Sequence, residues 1–230
     1  MTAITMASTT ASTSASDDNG TTNSSESDAI LTLPPNITVR RYRPSDAESI
    51  AKHASNLAVW NNLTDRMPYP YTVSDADFWI SHSNDPSTFL VSGPYDSTPI
   101  SPTADIGASG PALPLNYTIC VDDSAVGSIG LETNSGVYRR TATLGYWLSE
   151  TYWGQGVMGK VVPAFVDWCW RTFGVLVRIN GSTYEANIGS QKILQKAGFV
   201  YEGRRQDYYV KNGVVGAELM WGALKPERYR

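Results

Sequence analysis

The 230-residue chain has few of the residues from which metal sites and disulfide frameworks are built. It contains two cysteines, Cys120 and Cys169, and two histidines, His53 and His82. Each cysteine lies in an apolar stretch, which predicts buried thiols in a reducing compartment rather than a disulfide or a metal pair. The histidines are interpreted as surface or helix residues rather than catalysts. No metal is expected.

Long apolar runs and basic clusters are also missing. No run of about 18 apolar residues occurs, and the N-terminus lacks the basic start and apolar centre of a secretory signal. A formal net charge of -4 does not provide the basic surface that nucleic-acid binding requires. We therefore expect no membrane span, no nucleic-acid partner and a location in the cytoplasm, or in the cytoplasm and nucleus.

The chain divides by composition into a polar tail and one folded domain. Residues 1–33 are dominated by Ser, Thr, Ala, Asn and Asp without any Lys or Arg, which predicts a disordered tail. A single domain is predicted over residues 36–225. Within it, residues 93–114 are rich in Pro, Gly, Ser and Ala and lack a sustained period, so they are interpreted as an inserted surface loop.

The hydrophobic pattern mixes strands and helices irregularly. A helix is predicted to start at Pro44–Asp46 and to carry apolar positions as far as Leu57, and Ser74 with Asp77 predicts the start of a second helix. Pro163 falls inside a later helix and predicts a bend there. The remaining pattern predicts strands at 37–42, 117–121, 126–131, 141–148 and 175–179, a helix at 188–196, and a closing hairpin at 204–210 and 214–221. This mixture indicates an α+β fold.

A glycine-rich loop at residues 154–160 fits several phosphate-binding patterns, because glycines let backbone N–H groups approach an anion at a helix N-terminus. As a dinucleotide fingerprint it lacks the acidic residue expected about 20 positions later, and as an ATP loop it has Val161 in place of the magnesium-binding Ser or Thr. A third interpretation is a cradle for the pyrophosphate of coenzyme A. A simple turn between a strand and a helix is the alternative.

A second motif occupies residues 187–199, where Asn187, Ser190 and Gly198 surround an apolar stripe. Alone it indicates only a well-capped helix. Together with Gly145–Leu148 and Trp153–Gly156, however, it resembles the GNAT acetyltransferase superfamily, in particular the branch of ribosomal-protein-alanine N-acetyltransferases. The loop at 66–71 also resembles that branch. The resemblance covers residues 37–224.

The resemblance implies a GNAT fold, with a central splayed mixed sheet of about seven strands flanked by helices. It implies an N-acetyltransferase, of the acyltransferase class, that moves an acetyl group from acetyl-CoA to a primary amine by direct attack in a ternary complex. The amine would belong to a protein N-terminus or to a small molecule, and the enzyme would be a monomer or homodimer. The implied coenzyme A contacts are Tyr146, Trp147, Leu148, Gln155, Gly156, Val157, Met158, Gly159, Asn187 and Ser190. Met158 replaces the Gly or Ala of many relatives and is expected to narrow the entrance of the loop.

The catalytic groups are less clearly marked than the donor site. Leu194 stands where many superfamily members carry a tyrosine acid, so Ser190 is the candidate proton donor to the leaving thiolate. Thr143 stands where this branch often has a glutamate, which leaves Glu132 and Glu185 as candidate general bases. A backbone N–H near residues 147–148 is expected to stabilise the oxyanion.

The acceptor is expected beside the 66–71 loop, where Arg66, Tyr69 and Tyr71 are candidate contacts by resemblance. The two tyrosines are equally well interpreted as core aromatics. Because the usual Tyr and Glu are absent from their positions, a non-catalytic acyl-CoA-binding or scaffold protein of the same fold is the alternative function.

Overall fold

The structure is a computed structural model that describes residues 28–95 and 108–229. Most of the predicted tail, residues 1–27, and the middle of the predicted inserted loop, residues 96–107, lie outside the described residues. The strands are β1 Ala29–Leu33, β2 Ile37–Arg40, β3 Leu90–Val91, β4 Ala112–Leu113, β5 Asn116–Val121, β6 Ser124–Thr133, β7 Thr141–Leu148, β8 Arg178–Tyr184, β9 Val200–Lys211 and β10 Val214–Leu224. The α-helices are α1 Ala47–Ala54, α2 Leu57–Trp60, α3 Val73–Asn84, α4 Met158–Thr172 and α5 Ile188–Lys196.

Eight strands form one sheet in the order β1-β2-β5-β6-β7-β8-β10-β9, and β3 pairs with β4 separately. Neighbouring strands of the sheet are antiparallel except β7 and β8, which are parallel. The predicted mixed α+β class is confirmed, with eight strands where the resemblance implied about seven. No helix among the described residues is long and apolar enough to cross a membrane.

The sheet opens between its two parallel strands. β7 and β8 pair over three positions only, from Thr141 opposite Arg178 to Thr143 opposite Asn180. Beyond Thr143, β7 continues to Leu148 beside β6, while β8 continues to Tyr184 beside β10. The two strands therefore diverge from a vertex at Thr143 and leave a gap, which is the splay that the resemblance implied.

Helices cover both faces of the sheet. Phe165 of α4 and Leu194 of α5 are buried in the larger core cluster together with Leu144, so this side is called the α4/α5 face. Ile50 of α1 and Ile80 of α3 form a smaller cluster on the other side, the α1/α3 face. Because successive side chains of a strand point to opposite faces, register assigns every strand residue to one face.

Several element boundaries differ from the sequence prediction. Residues 29–33, assigned to the tail, form β1, because a short apolar stretch packs against the core and pairs with β2. The first helix ends at Ala54, and Leu57 begins α2 with Asn56 as its cap. The second helix is capped by Thr72 and Asp75 instead of starting at Ser74. The strand predicted at 175–179 begins at Arg178, and β4 lies inside the predicted loop.

The fold also places the isolated cysteine, histidine and proline residues. Cys120 and Cys169 are buried free thiols, as predicted, and burial raises the pKa of both. His53 and His82 lie in α1 and α3. Pro163 lies inside α4, and the bend expected there stays a prediction.

Candidate active site

The donor loop, residues 153–159, follows β7 after a short 3-10 turn at Glu150–Tyr152 and is shaped by two glycines. Gly154 and Gly156 have φ of 73° and 76°, a region that residues with a Cβ avoid. A Cβ added at either glycine would meet nothing within 4 Å, so the loop surface is open at both positions. The Trp153 indole donates a hydrogen bond to the Leu148 carbonyl at 2.8 Å and thereby folds the loop back onto the strand.

The loop ends at the N-terminus of α4, which no side chain caps. The first N–H groups of a helix have no partner within the helix, and their dipoles favour an anion. A cation lies beside them, because the Lys196 Nζ is 3.3 Å from the position that a Cβ at Gly159 would take. Open backbone amides, a helix N-terminus and an ammonium group suit the diphosphate of coenzyme A.

Two predicted loop residues point away from this surface. Val157 and Met158 are 5% and 7% exposed and belong to the core cluster on the α4/α5 face. The expectation that Met158 narrows the entrance of the loop is therefore wrong, because its side chain fills the core. The Gln155 side chain donates to the Thr151 carbonyl at 2.8 Å. Val157 and Met158 can therefore contact a ligand only through their backbone amides. Gln155 is exposed, so its side chain remains accessible to a ligand.

Across the gap, the structure brings Tyr146, Asn187 and Ser190 together. The Asn187 Oδ1 accepts a hydrogen bond from the Ser190 N–H at 3.0 Å, which confirms Asn187 as the cap of α5. The Tyr146 hydroxyl donates to the Ser190 carbonyl at 3.4 Å. Tyr146 belongs to β7 and Ser190 follows β8, so the contact links the two sides of the gap on the α4/α5 face.

Tyr146 is a candidate proton donor that sequence reasoning treated only as a coenzyme contact. Burial raises the pKa of its hydroxyl to about 12, so the hydroxyl is protonated at neutral pH, as an ordinary tyrosine is, and is a weaker acid. The available signal was the two-residue alternation of β7, which puts Tyr146 on the same face as Leu144 and therefore toward α5. Trp147 points to the α1/α3 face, where it packs against the smaller cluster.

The two candidate bases lie on opposite faces of the sheet. Glu132 is opposite Thr143 in the β6–β7 register, beside the vertex of the gap, and shares the face of Thr143 and Trp147. Glu185 follows β8, and its N–H donates to the Ala217 carbonyl of β10. Ala217 is buried and alternates with Glu218, so it lies on the α4/α5 face. Glu185, which lies opposite Ala217, is on the same face.

Each of these carboxylates is paired with an arginine. Glu132 binds the Arg66 Nη1 at 2.8 Å. Glu185 receives two hydrogen bonds from Arg204, at 2.6 and 2.8 Å, and these bonds lower the pKa of the Glu185 carboxyl. A carboxylate paired with an arginine is a weaker base, so each pair opposes the predicted role of its glutamate for as long as the pair is intact.

The structure separates the three predicted acceptor contacts. Arg66 lies on the exposed side of the 66–71 loop, and Tyr69 is exposed with its ring 5.5 Å from that of Trp60. Tyr71 instead packs against the cluster on the α1/α3 face, and its hydroxyl donates to the Asp75 carbonyl at 3.2 Å. Burial raises the pKa of Tyr71 to about 12. Tyr71 thus takes the core position that the sequence left open.

A sheet that opens between two parallel strands, with a glycine loop and an uncapped helix at one end of the gap, is the architecture of an acetyltransferase of the GNAT type. The chain belongs to this family, because residues 36–200 match the Acetyltransferase (GNAT) domain.

Two curated relatives come from Bacillus subtilis strain 168. The probable N-acetyltransferase YjcK is 31% identical over 106 residues, which cover 46% of this chain and 58% of the relative. The uncharacterized N-acetyltransferase YoaA is 29% identical over 101 residues, or 44% of this chain and 56% of the relative. The matches thus span somewhat more than half the length of these relatives.

Solved structures share the fold at lower identity. The ribosomal-protein-S5-alanine acetyltransferase from Vibrio fischeri aligns with a TM-score of 0.63 and 17% identity over 85% of this chain and 97% of that one. RimL, a ribosomal L7/L12 α-N-protein acetyltransferase solved with coenzyme A, aligns with a TM-score of 0.63 and 16% identity over 84% and 96%. These likenesses establish the fold.

Proposed function

We propose that this protein is an acetyl-CoA-dependent N-acetyltransferase that acetylates a primary amine by direct attack in a ternary complex. One observation carries the proposal. The open donor loop and the uncapped α4 lie at the end of the same gap that Tyr146 and Ser190 span. An anion site and a pair of proton-bearing groups at one opening suit a ligand with a diphosphate at one end and a reactive thioester at the other.

Different groups of the chain would bind the different parts of acetyl-CoA. The amides of residues 155–159 would hold the diphosphate, and residues 146–148 of β7 would line the pantetheine arm. Asn187 fixes the first turn of α5 and so positions Ser190 near the thioester. Acetyl-CoA would supply the activated acyl group. The buried free thiols of the chain fit a reducing compartment such as the cytoplasm, where the enzyme would act.

For catalysis, the acceptor ammonium must lose a proton before its nitrogen can attack the acyl carbon. We propose that Glu132 accepts this proton. Glu132 shares a face with Thr143 beside the vertex, whereas Glu185 lies on the other face. As the C–N bond forms, a backbone N–H on the edge of β7 that faces the gap would stabilise the oxyanion. When the C–S bond breaks, the thiolate would take a proton from Ser190, which regains one from water; the amine's second proton leaves to solvent.

The acceptor would approach on the α1/α3 face, beside Arg66 and Tyr69. The solved relatives named for ribosomal proteins S5 and L7/L12 make peptide N-terminal amines the first class to test, with small amines second. A non-catalytic acyl-CoA-binding protein is the second candidate, because Leu194, which is buried, and Thr143 offer neither of the acid and base groups usual at those positions.

Two measurements test the proposal. Calorimetry should detect acetyl-CoA binding, and thiol release should follow when N-terminal peptides and small amines are added. Ser190→Ala should lower kcat about 100-fold or more while acetyl-CoA still binds. Ser135→Ala, at an exposed serine outside the gap, is the matched control. Lack of acetyl-CoA binding would refute the proposal, and binding without thiol release for any amine would favour the non-catalytic alternative.

A further inference from the structure

Residues 61–66, between α2 and α3, form a strap that crosses the β7–β8 gap on the α1/α3 face. The Tyr184 hydroxyl at the end of β8 donates to the Leu63 carbonyl at 3.1 Å. At its other end the strap reaches β6, where Arg66 pairs with Glu132. Since β7 lies between β6 and β8 in the sheet, a segment bonded to both β6 and β8 must pass over the gap.

The end of the strap near β8 is firmly anchored. Lys211 is buried, and its Nζ lies 2.5 Å from the Asp65 Oδ1 and 3.1 Å from the centre of the Trp60 ring. The Asn212 amide of the β9–β10 turn also donates to the Asn61 side chain at 2.8 Å. The Asp65 side chain is 72% exposed, so the strength of this anchor comes from the Lys211 ammonium, which is shielded from water against the face of the Trp60 ring. This end should therefore stay in place.

The end near β6 is held by a much weaker contact. The Arg66 and Glu132 side chains are 74% and 65% exposed. Exposed ion pairs contribute little to stability, because water and salt screen both charges. The strap thus combines a fixed end at Lys211 with a releasable end at Arg66.

We propose that the acceptor ammonium displaces the Arg66 guanidinium from Glu132, so that Arg66 guards the catalytic base and selects among acceptors. Both groups are cations that donate N–H hydrogen bonds, and Glu132 is the carboxylate next to the vertex of the gap on this face. An acceptor that carries a positive charge can compete for Glu132, while a neutral amine cannot. Arg66 is thus a positioning residue whose release couples acceptor entry to exposure of the base. This inference rests on the proposed function.

The test measures KM and kcat with an alkylammonium acceptor found by the thiol-release screen and with aniline, which is neutral at pH 7. Arg66→Gln removes the competing charge, so KM for the alkylammonium acceptor should fall about two- to fivefold with kcat little changed. Arg66→Lys should restore the wild-type KM. For aniline, a substrate or a competitive inhibitor, the apparent constant should not change. In the Glu132→Gln background, Arg66→Gln should have no effect on KM.

Arg171→Ala, which removes the arginine of an exposed ion pair on α4, is the matched control and should leave both constants unchanged. An equal shift for the charged and neutral amines, an unchanged or raised KM in Arg66→Gln, or an effect that persists in the Glu132→Gln background would overturn the inference. Failure of the wild-type protein to acetylate any amine would instead refute the proposed function, so the two failures are distinguishable.

Discussion

The donor end of the β7–β8 gap, at the glycine loop, and the acceptor end, beside the strap, are built from different chemical groups. At the donor end, glycines with positive φ and the free amides of α4 shape the site, and few side chains take part. At the acceptor end, charged side chains from segments distant in sequence are paired, as in Arg66 with Glu132 and Lys211 with Asp65. Under the proposed function, backbone geometry would bind the constant cofactor, and side-chain pairs would line the site of the acceptor.

The largest expected effect separates the two carboxylates. Glu132→Gln should lower kcat/KM about 100-fold or more, because the amide cannot accept the ammonium proton. Glu185→Gln should change kcat/KM less than about twofold, since Glu185 is engaged with Arg204 on the other face. Steady-state kinetics with acetyl-CoA saturating would measure both. Equal losses would contradict the assignment of the acceptor to the α1/α3 face.

A valine in the donor loop tests whether backbone conformation controls coenzyme binding. Gly156→Val should raise Kd for acetyl-CoA about tenfold, because positive φ costs a residue with a Cβ about 1–2 kcal/mol. Gly136→Val introduces the same strain at φ 60° in the turn after β6, away from the donor loop. Calorimetry should show weakened binding only for the first variant. Similar weakening in both would indicate a global effect of strain.

Two asparagine caps provide a comparison between α5 and α2, although the Asn56 amide also donates to the Glu150 carboxylate at 2.9 Å. Asn187 and Asn56 each accept a hydrogen bond at 3.0 Å from the backbone N–H three residues on, at the starts of α5 and α2. Alanine at either position should lower the free energy of unfolding by about 1 kcal/mol. Only Asn187→Ala should also weaken acetyl-CoA binding, and only Asn56→Ala should raise acceptor KM. Thermal unfolding would measure the stability of both variants, and calorimetry and kinetics would measure Kd for acetyl-CoA and acceptor KM. Weaker acetyl-CoA binding in Asn56→Ala or a higher acceptor KM in Asn187→Ala would contradict this expectation.

The smallest expected effect concerns the fixed end of the strap. Lys211→Met removes the contacts with Trp60 and Asp65, so acceptor KM should rise about twofold while Kd for acetyl-CoA stays constant. This sign is opposite to that expected for Arg66→Gln, because one variant loosens the anchor and the other removes a competitor. A fall in KM for Lys211→Met would show that the two ends of the strap act alike.

Local sequence was sufficient to predict the strand and helix that flank the donor loop and the mixed class of the fold. The bounds of α5 follow from its Asn187 cap and from Gly198, whose φ is 85°, and β7 spans the residues that alternation predicted. These features depend on neighbours in the chain. The inward direction of Met158 was missed, because its orientation depends on the packing of α4 against the sheet.

The acceptor end could not be predicted in the same way. Arg66 and Glu132 are 66 positions apart and Asp65 and Lys211 are 146 apart, so no local pattern links them. Assigning Glu132 and Glu185 to different faces requires the strand register, which depends on pairing between distant segments.

The strand β1 bears on how the domain can be shortened. The family match begins at residue 36, yet Ala29–Leu33 pair with β2, and the Lys160 Nζ of α4 donates to the Pro34 carbonyl at 3.0 Å. A truncation at the family boundary would leave the outer edge of β2 without a partner, and such edges recruit strands from other molecules. We expect fragments that start after Leu33 to aggregate, and fragments made for expression should therefore begin before Ala29.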